Sequence, residues 1–397
     1  MRIKESSIRI WVICLLVALP VILGGAAMAA PPATPDPTTS AKLPPKPGMI
    51  TLSTYDLGTA TYTQAEAIAD AAFKKFGIKM RVMPLGNDMT RVDAVRSGVA
   101  QFLLTGAAPW FANKGDAEFA ATQWGPQDLR SLWQVAGLRR SAFAMQTQKN
   151  SGIKVPADLK GKKIGYIVGS RSMNIVIDAY LAFANLTWKD VIRVDYPSTR
   201  TCYEACKQGI VDAVTANSTS SATYEQAASP LGIYWIPMDP NDKAGWARAK
   251  AVYPPIYGIL CDSGGGLKEK PTYLPTVPHP CVYCYENKDE NSAYWLTKVI
   301  NETFDLYEGT SQEMPWWHSS GLFGTTPYAP WHRGAIRYFK EQGWWTQQLE
   351  AANQGEIEKE QRIKKLWNAA LNEASAKGIK TPAEWQTFWL EKLEKAR

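Results

Sequence analysis

The sequence predicts an α/β fold of two lobes with a ligand cleft between them, followed by a C-terminal helical extension. Three observations carry this expectation. Short apolar runs alternate with helical patterns along most of the chain, which implies parallel or mixed sheets with helices on both faces. The alternation breaks and restarts near residue 148, as if a second series were inserted into the first. The chain has 397 residues, and what remains after its N-terminal leader exceeds one comfortable core, so two lobes are the default.

Arg2, Lys4 and Arg9 precede an apolar stretch from Ile10 to Leu23, and Ala27-Met28-Ala29 fits the small-x-small rule for cleavage. Residues 1–29 therefore read as an export signal, which places the mature chain in the periplasm. An uncleaved anchor competes, because the apolar stretch approaches the length of a membrane span; Pro20 and Gly24-Gly25 weaken it. Residues 30–47, rich in Pro, Thr and Ala, read as a disordered leader.

The first ordered unit, Ile50 to Ala69, is a strand that runs through a Gly/Thr turn into a helix. Thr54, Thr59 and Tyr62 surround Gly58 and supply hydroxyls beside the free N–H groups of a helix N-terminus. A strand at Lys79 to Met83 ends in a turn containing Asn87 and Asp88, and a helix from about Met89 to Arg96 carries Arg91 before Ser97-Gly98 closes it. Gln101 to Leu104, Leu132 to Ala136 and Ser141 to Gln146 read as strands. The second series has strands at Ile164 to Val168, Ile192 to Tyr196 and Val211 to Ala216, with helices after the Ser170-Arg171 turn and at Thr201 to Gln208. These boundaries predict a first lobe of residues 48–147 with about 238–345, a second lobe of 148–237, and an extension of 346–397.

In such sheets ligands bind outside the carboxyl ends of the strands, so the turns at Gly58, Asn87, Ser170 and Asn217-Ser218 face one another across the cleft. Arg171 beside a helix N-terminus suits a bidentate grip on a carboxylate. Arg91 and the pair Arg139-Arg140 share that chemistry, while Asn87, Asp88, Asn217 and Ser218 read equally as helix caps.

Other functions are disfavoured. Formal charge is +7; removing the signal takes three positive residues and Glu5, giving +7 − 3 + 1 = +5, with Lys and Arg scattered rather than concentrated on a basic face. That argues against nucleic acid. The three histidines, His279, His318 and His332, have no nucleophile or metal partner nearby in sequence, so neither catalysis, a metal nor a cofactor is expected. Five cysteines follow the signal: Cys202 and Cys206 four apart, Cys281 and Cys284 in a CxxC, and Cys261 alone. Structural disulfides, a metal site of Cys261, His279, Cys281 and Cys284, and a redox pair stay open as readings.

Taken together, STYDLGTATYTQAEAIA, NSGIKVPADLKGKKIGYIVGS, GIVDAV and WHRGAIRYFKEQG, in that order, resemble the TAXI-type solute-binding proteins of TRAP transporters. The resemblance spans roughly Ile50 to Gly343. It implies a two-lobed, type II-like periplasmic binding fold that closes on an organic anion, often a carboxylate or amino acid, and delivers it to membrane permease subunits; a monomer is expected. By position it implies ligand contacts from Thr54, Gly58, Thr59, Tyr62 and Ser170. The chain departs from the family at Arg91, where an Asn is usual, at Arg171, where glycine is frequent, and at Asn217-Ser218. Beyond Trp344, Ile363, Leu366, Trp367, Ala370, Leu371 and Ala374 share one helical face, and Thr381-Pro382-Ala383-Glu384 is a capping-box start.

Overall fold

The computed structural model describes residues 43–135 and 141–396. The export signal, most of the leader and Arg139-Arg140 lie outside the described residues. Strands β1 (Met49–Thr54), β2 (Lys79–Pro84) and β3 (Phe102–Thr105) are linked by helices α1 (Ala60–Phe76) and α2 (Asp88–Arg96). β3, inside the sheet, is a short buried run because a parallel strand covered on both faces has no polar side to show, whereas β2, at the sheet edge, alternates exposed with half-buried residues. After α3 (Ala108–Ala112) comes β4 (Leu129–Gln134), buried along its whole length.

The chain then crosses to a second series: β5 (Phe143–Thr147), β6 (Lys163–Ile167), α4 (Arg171–Phe183), β7 (Ile192–Tyr196), α5 (Thr199–Lys207), β8 (Ala213–Asn217), α6 (Ser221–Ala228) and β9 (Tyr234–Trp235). Helix α7 (Lys243–Val252) and the hairpin of β10 (Tyr257–Cys261) and β11 (Thr272–Thr276) follow. The chain returns through residues 277–280 to β12 (Cys281–Tyr285), then α8 (Glu290–Glu302), α9 (Phe304–Tyr307) and α10 (Arg333–Glu341).

The two sheets share a plan. The first runs β2-β1-β3-β12-β4 and the second β7-β6-β8-β5-β9, each with three parallel strands followed by antiparallel neighbours. The two crossovers touch: Val135 N–H donates to Pro280 O at 3.0 Å and His279 N–H to Val135 O at 3.3 Å.

Two details differ from the expected boundaries. Phe143–Thr147 belongs to the second sheet, where it pairs antiparallel with β8 from Phe143 against Asn217 to Thr147 against Ala213. Residues after 238 also stay with the second lobe: Trp235 Nε1 donates to Gly265 O at 2.8 Å, Thr276 Oγ1 to Ser141 O at 3.0 Å, and Arg248 Nε to Ala182 O at 2.8 Å. Strand pairing over such separations leaves no local mark in sequence.

The cysteine readings also sharpen. On β12, Cys281 packs into one core and Cys284 into the other, because positions three apart on a strand point to opposite faces. A CxxC bridge or shared metal is therefore sterically closed to them. Burial pushes the Cys206 thiol up to about 12 and raises those of Cys202 and Cys284 as well, which makes them poor nucleophiles.

The C-terminal extension forms α11 (Gln347–Ala376) and α12 (Pro382–Lys395). Thr381 and Glu384 make the reciprocal capping box at the start of α12, with bonds of 3.2 and 3.0 Å. Trp367, Trp385 and Trp389 meet edge to face at 4.9 and 4.8 Å and close over Ala120.

Candidate functional site

The carboxyl ends of β1, β2 and β3 meet those of β6, β7 and β8, and the contact is made by helix starts. Five helices donate a first-turn N–H to the opposite lobe. From the first lobe, Ala60 of α1 points to Ser220 Oγ at 3.5 Å and Met89 of α2 to Gly169 O at 3.1 Å. From the second, Ser172 of α4 donates to Asp88 Oδ2 at 2.7 Å, Thr199 of α5 to Gly86 O at 3.1 Å, and Ala222 of α6 to Gly58 O at 3.4 Å. Arg200, also at the start of α5, donates its N–H to Asp56 Oδ2 at 3.2 Å. Each named donor is met by an acceptor of the other lobe, and the partial positive charges of five helix starts converge on the seam.

Glycine is required where the lobes approach most closely. A Cβ on Gly86 would stand 2.7 Å from Ser198 Cβ, and Gly58 takes φ +83°, which an L side chain rarely adopts. Gly58 O accepts from Ser221 Oγ at 2.9 Å.

Each residue singled out in sequence has a definite place. Thr54 ends β1 and is buried with its hydroxyl lacking a hydrogen-bond partner; Ser170 Oγ and Asn217 Nδ2 are likewise buried and unpaired. Thr59 caps α1 through Tyr62 N–H at 3.3 Å and donates to Asp56 O at 2.7 Å. Tyr62 interacts with Glu66 on its own helix. Asn87 caps α2 and reaches Pro197 O of the other lobe at 3.3 Å. Ser218 ties Ala142 N and Ser263 O, at 3.0 and 2.7 Å, to the end of β8.

The two arginines have carboxylate partners within the chain. Arg91 is fully buried, pairs with Asp88, donates to Leu85 O at 3.0 Å, and lies 3.7 Å from the centroid of the Tyr55 ring. Arg171 pairs with Asp178, two turns along α4. Asp88 is thereby held by Arg91 while both its oxygens grip Ser172, Oδ2 on the N–H and Oδ1 on the hydroxyl at 2.8 Å.

Several residues of this interface escaped the sequence. Tyr55 OH lies 3.3 Å from both Ser172 Oγ and Gly106 N. His279, on the returning crossover, is buried with Nε2 at 3.1 Å from Thr61 Oγ1 and its ring between Tyr55 and Phe143. Thr105 ends β3 with a buried, unpaired hydroxyl, as Thr54 ends β1. Glu313, from the segment before α10, bonds Gln64 in its own lobe and Thr219 in the other. A polar residue ending an apolar strand is the signal for Thr105; His279 carries none. A surface recess of 640 Å³ beside α6, lined by Tyr224, Asp262, Lys268 and Gln312, borders this interface at Ser263, the residue that accepts from Ser218.

The NMT1-like family model matches residues 54–343, from the end of β1 to just past α10. The chain belongs to the NMT1-like family. The matched region holds the second sheet, the first sheet apart from residues 49–53 of β1, and every interface residue named above, and it stops short of α11. No curated protein matches the chain. Among solved structures, it is similar to the periplasmic aliphatic sulphonate binding protein SsuA from Escherichia coli, at 15% identity and a TM-score of 0.43 over 82% of this chain and 89% of that one. R. palustris Rpa4515 with adipate gives 13%, 0.47, 79% and 96%. An ancestral arginine-binding protein bound to arginine gives 16%, 0.40, 66% and 97%.

Proposed function

We propose that this NMT1-like protein is a periplasmic receptor that holds a small organic anion, of the carboxylate or amino acid class, between its lobes and delivers it to membrane permease subunits of a TRAP-type transporter. It works as a monomer, by binding and not by catalysis. The meeting of five helix N-termini carries the reading, because donors and dipoles so arranged favour negative charge. The interface already draws carboxylates of its own, Asp56 and Asp88, to two of those helices. Thr54, Thr105, Ser170 and Asn217 offer unpaired buried groups that would orient a solute. The TRAP-type partner rests on the TAXI-like strings in the sequence.

One observation favours a neutral polar solute as a second reading: Arg91 and Arg171 are both paired with carboxylates and bring no net positive charge. A thermal-shift screen of amino acids, dicarboxylates, sulphonates and sugars separates the two. A true ligand at a hundred times its Kd stabilises by about 2.7 kcal/mol. Acids alone raising the melting temperature supports the anion; sugars alone would overturn it. Co-purification with a membrane sensor in place of permease subunits would replace transport by signalling.

A further inference from the structure

Serine is among the best N-cap residues, because its side-chain oxygen accepts from the N–H two or three positions into the helix. Ser170 stands at the N-cap of α4 and makes no such bond; its hydroxyl is fully buried and has no partner. The N–H that it would take, that of Ser172, goes instead to Asp88 Oδ2 of the other lobe at 2.7 Å. The same carboxylate takes the Ser172 hydroxyl at 2.8 Å and is held in place by Arg91, whose guanidinium packs on Tyr55. The cap of this second-lobe helix is therefore supplied by the first lobe, while the local cap stands idle.

We propose that α4 exchanges caps as the lobes move: Asp88 caps it when they are together and Ser170 when they are apart. The exchange explains why a good capping residue is left unpaired. It also gives each state a satisfied helix end, so in neither is the Ser172 N–H left without an acceptor. A carboxylate is the stronger cap for a helix start, since charge and dipole add, and this biases the pair toward closure. At the start of α4, opening costs only the difference between two caps. The device does not depend on which solute binds.

Two substitutions shift the balance in opposite directions. Asp88→Asn keeps an acceptor for the Ser172 N–H but loses the negative charge at the helix start, which weakens the closed state, and the closed-to-open ratio falls about two- to fivefold. Ser170→Ala weakens the open state alone, and the ratio rises by a similar factor. The radius of gyration from small-angle scattering and hydrogen exchange at the Ser172 amide read both shifts, with no solute added. Asp88→Asn expands the protein and speeds exchange, Ser170→Ala does neither, and the double variant exchanges fastest because one cap is weakened and the other removed. If Asp88→Asn fails to fold, Asp88→Asn/Arg91→Met removes the buried charges together and is read in the same way. The proposal is overturned if the Asp88 variant stays as compact and protected as the wild type, or if Ser170→Ala expands the chain.

Discussion

Arg91→Met tests whether this arginine serves the fold or the solute. The side chain is fully buried, and its partner Asp88 is exposed by 1%. Removing the guanidinium leaves a buried carboxylate with the Ser172 donors and no countercharge, a change that costs about 3–5 kcal/mol when a buried pair is broken. The stacking of Arg91 on Tyr55, at 3.7 Å, goes too. Unfolding entropy near 2.1 cal/mol/K per residue over roughly 350 folded residues gives about 0.7 kcal/mol/K, so the melting temperature drops by about 4–7 °C. Asp88→Asn/Arg91→Met removes both charges and recovers most of that loss, because an uncharged pair carries no desolvation penalty. A double-mutant cycle in urea yields the coupling, expected above about 1 kcal/mol for residues in direct contact. Arg91→Met that melts with the wild type and only weakens acid binding would refute the reasoning and return Arg91 to the role its position in sequence suggests.

Three further outcomes follow from the packing. Trp389→Ala, which empties a fully buried site and removes the indole bond to Gly115 O at 2.6 Å, costs about 3–5 kcal/mol by urea titration and loosens residues 115–125 in hydrogen exchange. Burial holds the His332 imidazole down at about 4, neutral, where Nδ1 accepts from Gly334 N–H at 3.0 Å and caps α10. A depressed value contributes stability above the unfolded value near 6.5 that is lost as pH falls toward 4, so His332→Asn, which keeps a cap, flattens the melting-temperature profile over that window. Burial raises Glu360 to about 7, with Arg130 and Asn113 pulling it down and Asp128 adding to the rise. Its contribution is full below about 4.5 and fades as pH rises through 7, so Glu360→Gln removes a decline in stability between those values.

The alternation of strands and helices was legible because the central parallel strands are short apolar runs and the edge strands alternate apolar with charged residues, each closed by a turn; Ile192 to Tyr196, of the second kind, has the same limits in sequence and structure. What escaped was pairing. Nothing local to Phe143–Thr147 says that its neighbour is β8, nor that α7 rests on the second lobe. At the candidate site the hydroxyl-bearing turns were legible from their Gly, Thr and Ser content. The partners of the arginines were legible too, though they were read as free: Asp88 is three residues before Arg91 and Asp178 seven after Arg171, spacings that share a helix face. Tyr55 and Ser172 were missed, and His279 was named only as a candidate metal ligand, because their roles arise only when distant segments meet.

The extension past the family match joins the same design. Residues 113–127 leave the first lobe as a loop in which Ala117 takes φ +54°, a strained conformation for a residue with a Cβ. The C-terminal helices hold that loop: Trp385 Nε1 donates to Ala120 O at 2.7 Å, Gln386 to Ala117 O at 3.2 Å, and Trp367 lies against Gly125, where a Cβ would come within 3.0 Å. The loop carries Glu118, half-buried and pushed above the usual carboxylate range by desolvation and by Asp88, with a backbone hydrogen bond and Arg171 and Arg193 of the second lobe pulling it back. Asp116 of the same loop acts on Arg171. Strain confined to one loop persists only where its surroundings over-determine it. Here the surroundings are α11 and α12, and what they fix is the acidic edge that meets the start of α4.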